Sequence, residues 1–115
     1  GFFAIAWPSK SVPNWKKLAI VTGKPSDAAA RAAAIALCER ESKAPCEVFL
    51  EEGDYGVSPF LAVYGDSAKN TRTYLGNTPA QLEARAKVAC ERAKVTCTQR
   101  VVLDLAKPVS ITPAY

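Results

Sequence analysis

The chain has 115 residues, of which 49% are hydrophobic and 23% are charged, and its formal net charge is +4. This composition is typical of one soluble globular domain and argues against a disordered tail or a membrane protein. No apolar run approaches the roughly 18 to 20 residues of a membrane-spanning helix, so we expect no transmembrane segment. The basic charge balance favours anionic partners.

An alanine-rich segment occurs twice, as SDAAARAAAIALCERE at residues 26–41 and as TPAQLEARAKVACERA at residues 78–93. Both copies contain Cys-Glu-Arg near their end, and a second cysteine follows each of them. The two copies align when Cys38 is matched with Cys90. We interpret this pattern as an internal duplication.

The first repeat begins with two short apolar segments, which a basic loop separates. The predicted elements are strands at 2–7 and 18–22, a helix at 26–41 and a strand at 46–52. The intervening sequence PSKSVPNWKK, residues 8–17, contains two prolines and indicates an exposed loop. Ser26 is a good N-cap, and Pro45 prevents the helix from continuing.

The second repeat is predicted to have the same order of elements. They are strands at 60–64 and 71–75, a helix at 78–93 and a strand at 96–105. We match the strand Phe60–Tyr64 with Phe3–Trp7. Thr78, Pro79 and Gln81 are typical of an N-cap, a first-turn proline and a capping-box partner.

Each repeat therefore has the order strand, strand, helix, strand. We predict an α+β fold, in which the two ββαβ repeats form one mainly antiparallel sheet of about six strands with both helices on one face. Joining the repeats removes an exposed sheet edge and merges two cores that are small by themselves. The predicted organisation is a single domain, 1–115, with pseudo-symmetric repeats at about 2–52 and 59–105 and a surface tail at 106–115.

The four cysteines indicate either disulfides or a metal site. A zinc site usually has ligands two to four residues apart and often includes His, and this chain has no His. Disulfides are typical of a short exported chain, and we prefer the pairs Cys38–Cys46 and Cys90–Cys97. Each bridge then ties the end of a helix to the next strand, although a crossed pair of Cys38 with Cys90 stays open.

The sequence begins GFFAIAW and contains no Met. A mature protein after signal-peptide cleavage is expected to look this way, although a glycine left by an expression tag would too. Together with the cysteines, this predicts a secreted or periplasmic protein of the bacterial cell envelope.

Residues 3–50 show an order of elements and cysteines that is similar to that of a known protein family. An aromatic and alanine-rich strand precedes an alanine-rich helix that ends in Cys, and a short loop, a second Cys and a strand follow. This pattern resembles a family of small secreted bacterial domains of unknown function, here duplicated. The resemblance implies export and a disulfide-stapled α/β unit, and it implies no activity for any residue.

The chain contains no His, which excludes Ser-His-Asp and Cys-His catalytic sets. We expect no metal and no cofactor, and no phosphate-binding glycine motif occurs. The leading hypothesis is an exported, disulfide-stapled binding or interaction module, such as an inhibitor or a cell-surface protein. The alternative is a small periplasmic enzyme with a non-His active site.

Basic and aromatic residues together form the candidate binding surface. They are Lys10, Lys16 and Lys17 around Trp15 in the first repeat, and Lys69, Arg72 and Tyr74 in the second. A protein or an anionic envelope polymer is the expected partner, and nucleic acid is disfavoured by export. Alternatively, the lysines only confer solubility and Trp15 plugs one end of the core.

Overall fold

The computed structural model describes residues 1–52, 60–65 and 71–114. That part of the chain contains two helices and seven strands. In chain order they are β1 (Phe2–Pro8), β2 (Ala19–Lys24), α1 (Asp27–Ser42), β3 (Cys46–Glu52), β4 (Phe60–Gly65), β5 (Thr71–Gly76), α2 (Pro79–Ala93), β6 (Gln99–Asp104) and β7 (Ser110–Ile111).

Both helices begin where the capping residues predict. The Ser26 hydroxyl accepts a hydrogen bond from the backbone N–H of Ala29 at 3.1 Å, and the Thr78 hydroxyl accepts one from Gln81 at 3.2 Å. The Gln81 carboxamide oxygen accepts in turn from the backbone N–H of Asn77 at 2.7 Å, one residue before the usual capping-box donor. The predicted N-caps are therefore confirmed.

Each helix ends at a lysine in the left-handed conformation, Lys43 or Lys94, both with φ of 56°. This conformation turns the chain back, so that the second cysteine of each half returns to the helix. The disulfides join Cys38 to Cys46 and Cys90 to Cys97, each with 6.1 Å between the Cα atoms. The predicted pairing within each half is confirmed, and the crossed pairing is wrong.

The strands form two antiparallel sheets rather than one. The first sheet has the order β3-β1-β2-β7, and the second has the order β5-β4-β6. The α+β class and the antiparallel pairing are confirmed, whereas the predicted single sheet of about six strands is wrong. In each half, the first strand is central and pairs with the second strand on one side and with the strand after the helix on the other.

The two sheets pack face to face. Phe3 and Ile5 of β1 lie in one buried cluster with Leu61 and Val63 of β4. The other buried members are Leu18, Ile20, Leu103 and Leu105, and half-buried side chains of the C-terminal segment pack against the cluster. The helices cover the outer faces, α1 on the first sheet and α2 on the second. The prediction that both helices lie on one face is therefore wrong. Because the central strands are apolar on both faces, each sheet needs a helix on one side and a second layer on the other.

The C-terminal segment forms a strand that the sequence did not predict. It pairs with the edge of the first sheet, as β7 beside β2. The buried Thr22 hydroxyl donates to the carbonyl of Lys107 at 2.8 Å and accepts from the backbone N–H of Val109 at 3.1 Å. Gly23 has φ of 72°, and a Cβ there would lie 2.6 Å from the Cα of Pro108. This close approach requires glycine and fixes the segment across the sheet.

The buried faces correct the alignment of the first strands of the two repeats. Phe3 and Ile5 face the space between the sheets, as Leu61 and Val63 do. Phe3 is thus equivalent to Leu61 and not to Phe60, because a slip of one residue inverts the faces of a strand. The duplication itself, with halves related by a pseudo-twofold axis, stays a prediction.

Candidate binding surfaces

The loop at residues 8–17, between β1 and β2, carries the first group of predicted binding residues. Lys10, Lys16 and Lys17 are exposed, and Trp15 is half-buried. The Lys17 Nζ atom lies 5.7 Å from the centroid of the Trp15 ring, within the range of a cation–π contact. The structure therefore brings Trp15 together with Lys17, and all three lysines of the loop are exposed.

The burial of Trp15 is uneven. Its indole Nε1 atom is inaccessible to solvent and has no hydrogen-bond partner among the described residues. The ring belongs to none of the three clusters of buried apolar side chains found in the described part of the chain. Trp15 therefore packs outside the described core, and its indole N–H is unpaired among the described residues.

The second group of predicted residues lies on a different sheet. Arg72 and Tyr74 are half-buried on the side of β5 that faces α2, and Lys69 lies outside the described residues. The Tyr74 ring contacts Tyr64 edge to face, with 5.8 Å between the centroids and 75° between the planes. Arg72 pairs directly with Tyr64 across β4 and β5. Tyr64 is thus the cross-strand neighbour of Arg72 and a ring contact of Tyr74.

A groove with a cavity volume of about 430 Å³ runs between α2 and β6. Ligand pockets commonly have volumes of about 300 to 1,000 Å³. The groove is lined by Tyr64, Gln99, Glu83, Lys87, Glu91 and the Cys90–Cys97 disulfide. Sequence analysis did not predict it.

The groove exists because the two helices cover their sheets to different extents. α1 packs against β1, β2 and β3, whereas α2 packs mainly against β4 and β5. On the central strand of the first sheet, Ala6 lies under α1, and the corresponding position of the second half is Tyr64. Alanine allows a helix to approach a sheet closely, and tyrosine does not. We attribute the open space over β6 to this difference.

A hydrogen-bonded pair forms part of the groove wall. The Tyr64 hydroxyl donates to the Gln99 side-chain oxygen at 3.0 Å. Burial of the phenol raises the pKa of Tyr64 above its ordinary value, and the negative charge of Glu83 and the neighbouring Tyr74 raise it further. The phenol therefore stays protonated at neutral pH. It is suited to hydrogen bonding rather than to acid–base catalysis, which needs a pKa near the working pH.

A second depression lies along the opposite flank of α2, with a volume of about 410 Å³. Its lining includes Tyr74, Arg85, Val88 and Arg92. The Arg85 guanidinium donates to the carbonyl of Leu75. Val88 is 49% exposed. The two flanks of α2 thus differ in charge, since carboxylates line the first groove and arginines line this depression.

Neither the comparisons with known proteins nor a search for metal sites and membrane-spanning helices assigns a function to these surfaces. Comparisons with protein-family models, curated proteins and solved structures found no match. Within residues 1–52, 60–65 and 71–114, no group of three or more His, Cys, Asp or Glu side chains is placed to hold a metal ion. The same part of the chain contains no helix that combines the length and apolarity needed to cross a bilayer.

Proposed function

We propose that the protein is an exported, disulfide-stapled binding module of the bacterial cell envelope, related to the small secreted domains that its sequence resembles. Its loop at residues 8–17 contacts an anionic envelope polymer. The observation that carries this proposal is the concentration of three exposed lysines on one loop with the half-buried Trp15. Two disulfides in so small a chain support a location in an oxidising compartment.

The roles of the lysines and of Trp15 differ. Exposed ammonium groups attract a polyanion and guide it to the loop, and salt screens this attraction over about 10 Å at 0.1 M ionic strength. Trp15 offers a rigid aromatic surface, and such anchors contribute much of the binding energy at interfaces. Affinity should therefore fall with added salt without vanishing.

The lysine contribution is testable with dextran sulfate as a soluble polyanion. We expect Lys16→Gln/Lys17→Gln to weaken binding about 30-fold at low ionic strength, since each lysine near an anionic surface contributes about 1 kcal/mol and a tenfold change in affinity corresponds to about 1.4 kcal/mol. The control is Lys94→Gln/Lys107→Gln, which removes two exposed lysines outside the loop. Isothermal titration calorimetry measures both affinities. Equal weakening by the two double variants would show that net charge alone drives binding and would overturn the proposal.

The same titration assigns the role of Trp15 through the variant Trp15→Ala. Lost affinity at an unchanged melting temperature supports a contact role, and a lowered melting temperature supports the alternative in which the ring plugs the fold. A variant that kept both affinity and stability would exclude both roles.

A further inference from the structure

The groove between α2 and β6 lies where the corresponding space of the first half is filled by packed side chains. Across β1 and β3, Ala6 pairs with Val48, and both side chains pack in the apolar cluster under α1. Across β4 and β6, the equivalent pair is Tyr64 and Gln99, which are joined by a side-chain hydrogen bond and line the groove. The apolar pair that packs under α1 in the first half is thus replaced in the second half by a polar pair that lines the groove.

The glutamate of the repeated Cys-Glu-Arg sequence also has different surroundings in the two halves. In the first half, the Glu39 carboxylate accepts a hydrogen bond from the backbone N–H of Cys46 at 3.2 Å, where β3 begins. In the second half, Cys97 precedes β6 by two residues, and Glu91 lines the groove. Within the described residues, the Glu91 carboxylate has no hydrogen-bond or ion-pair partner. A carboxylate with a structural contact in one half is therefore available to a ligand in the other.

The charges around the groove favour a cation. Glu83 and Glu91 are exposed on the flank of α2 with Lys87 between them, which gives a local charge of −1 on a chain of net charge +4. The Gln99 amide group can still donate, because its oxygen is the atom that accepts from Tyr64. An ammonium or guanidinium group can therefore meet carboxylates here, while a neighbouring carbonyl accepts from Gln99.

The groove also offers apolar surface beside these charges. Val95 is 37% exposed at its edge, and the Cys90–Cys97 disulfide lines it. An alkyl stem that ends in a cation would cover this surface, and so would an apolar residue next to it in a peptide. We propose that the groove binds the side chain of an arginine or lysine within an extended segment of a partner protein. The site uses none of the residues of the loop at 8–17.

A blocked tripeptide, acetyl-Val-Arg-Val-amide, is the probe for this site, and its counterpart with Gln in place of Arg is the neutral control. Titration of the ¹⁵N-labelled protein should shift backbone amides of residues 83–99 with the arginine peptide and not with the neutral one. We expect Glu83→Gln/Glu91→Gln to weaken binding about tenfold, because each exposed ion pair contributes up to about fivefold in affinity.

The matched control is Glu41→Gln/Glu47→Gln, which removes two exposed carboxylates from the first half and should leave the affinity unchanged. Melting temperatures of both double variants check that the fold is retained. Equal weakening by the two variants, equal binding of the neutral peptide, or shifts outside the groove would overturn the proposal. Tighter binding of 1,4-diaminobutane than of the peptide would also overturn it, in favour of a free amine as ligand.

Discussion

Reduction of both disulfides is expected to lower the free energy of unfolding by about 5 kcal/mol, or roughly 2.5 kcal/mol for each bridge. The bridged cysteines are separated by 8 and 7 residues, so each bridge closes a short loop. A covalent loop removes conformations mainly from the unfolded chain, and reduction restores them. Since one domain of this size has only about 5 to 15 kcal/mol of stability, the loss is a large part of the total.

Thermal unfolding with and without a phosphine reductant measures this loss. The melting temperature should fall by roughly 20 °C, at about 4 °C for each kcal/mol in a chain of this length. The variants Cys38→Ala/Cys46→Ala and Cys90→Ala/Cys97→Ala separate the two bridges. An unchanged melting temperature after complete reduction would contradict the stabilising role of the bridges.

Truncation of Phe3 is the second change with a large expected effect. Phe3 is fully buried between the two sheets, so Phe3→Ala leaves a cavity where both layers meet. Such a substitution costs about 3 to 5 kcal/mol, because lost transfer energy and the residual cavity both contribute. We expect this loss in the free energy of unfolding, measured by urea denaturation.

Val88→Ala is the control for the loss of apolar atoms without a cavity. Val88 is 49% exposed on α2, and alanine has the higher helix propensity, so stability should change by less than about 0.5 kcal/mol. A cost below about 1 kcal/mol for Phe3→Ala would show that this face of β1 is not covered by the second sheet.

Local signals in the sequence predicted local structure well. Ser26 and Thr78 start the helices because a side-chain oxygen there satisfies a backbone N–H of the first turn. The cysteine pairs were predictable because a short turn after each helix brings the next strand back to its last turn. Both features depend on contacts between residues fewer than ten positions apart.

The number of sheets was not predictable in the same way. The segments around Phe3 and Leu61 are apolar on both faces, which is compatible with one covered sheet or with two sheets in contact. The strand in the tail was not predictable because its two prolines disfavour regular structure, whereas Thr22 and Gly23 bind the tail to the first sheet. Such contacts join residues more than 80 positions apart in sequence.

The groove had a signal in the sequence, but only after the correct alignment. When Phe3 is aligned with Leu61, Ala6 is aligned with Tyr64. This replacement of a small residue by a large one marks the position where α2 stands away from its sheet. The alignment of Phe3 with Phe60 hides the exchange. The difference between Ala6 and Tyr64 could therefore be recognised only after the structure had shown which residues of each strand face the helix.

The two proposed surfaces have opposite charge. The loop at residues 8–17 carries lysines, and the groove beside α2 carries a net negative charge. A module with this arrangement can hold an anionic polymer with one half and a basic peptide segment with the other. Salt should weaken both contacts, and each set of charge variants should affect only its own ligand.

The helix α1 closes over its sheet in the first half, whereas α2 leaves a groove over β6 in the second half. A reciprocal exchange tests this difference most directly, by comparing the free energies of unfolding of Val48→Gln and Gln99→Val. Val48 is half-buried against the cluster under α1, so Val48→Gln exchanges packed apolar surface for an amide and should cost about 1 to 2 kcal/mol. Gln99 is exposed, and Gln99→Val should change stability by less than about 1 kcal/mol. A larger loss for Gln99→Val than for Val48→Gln would contradict the account.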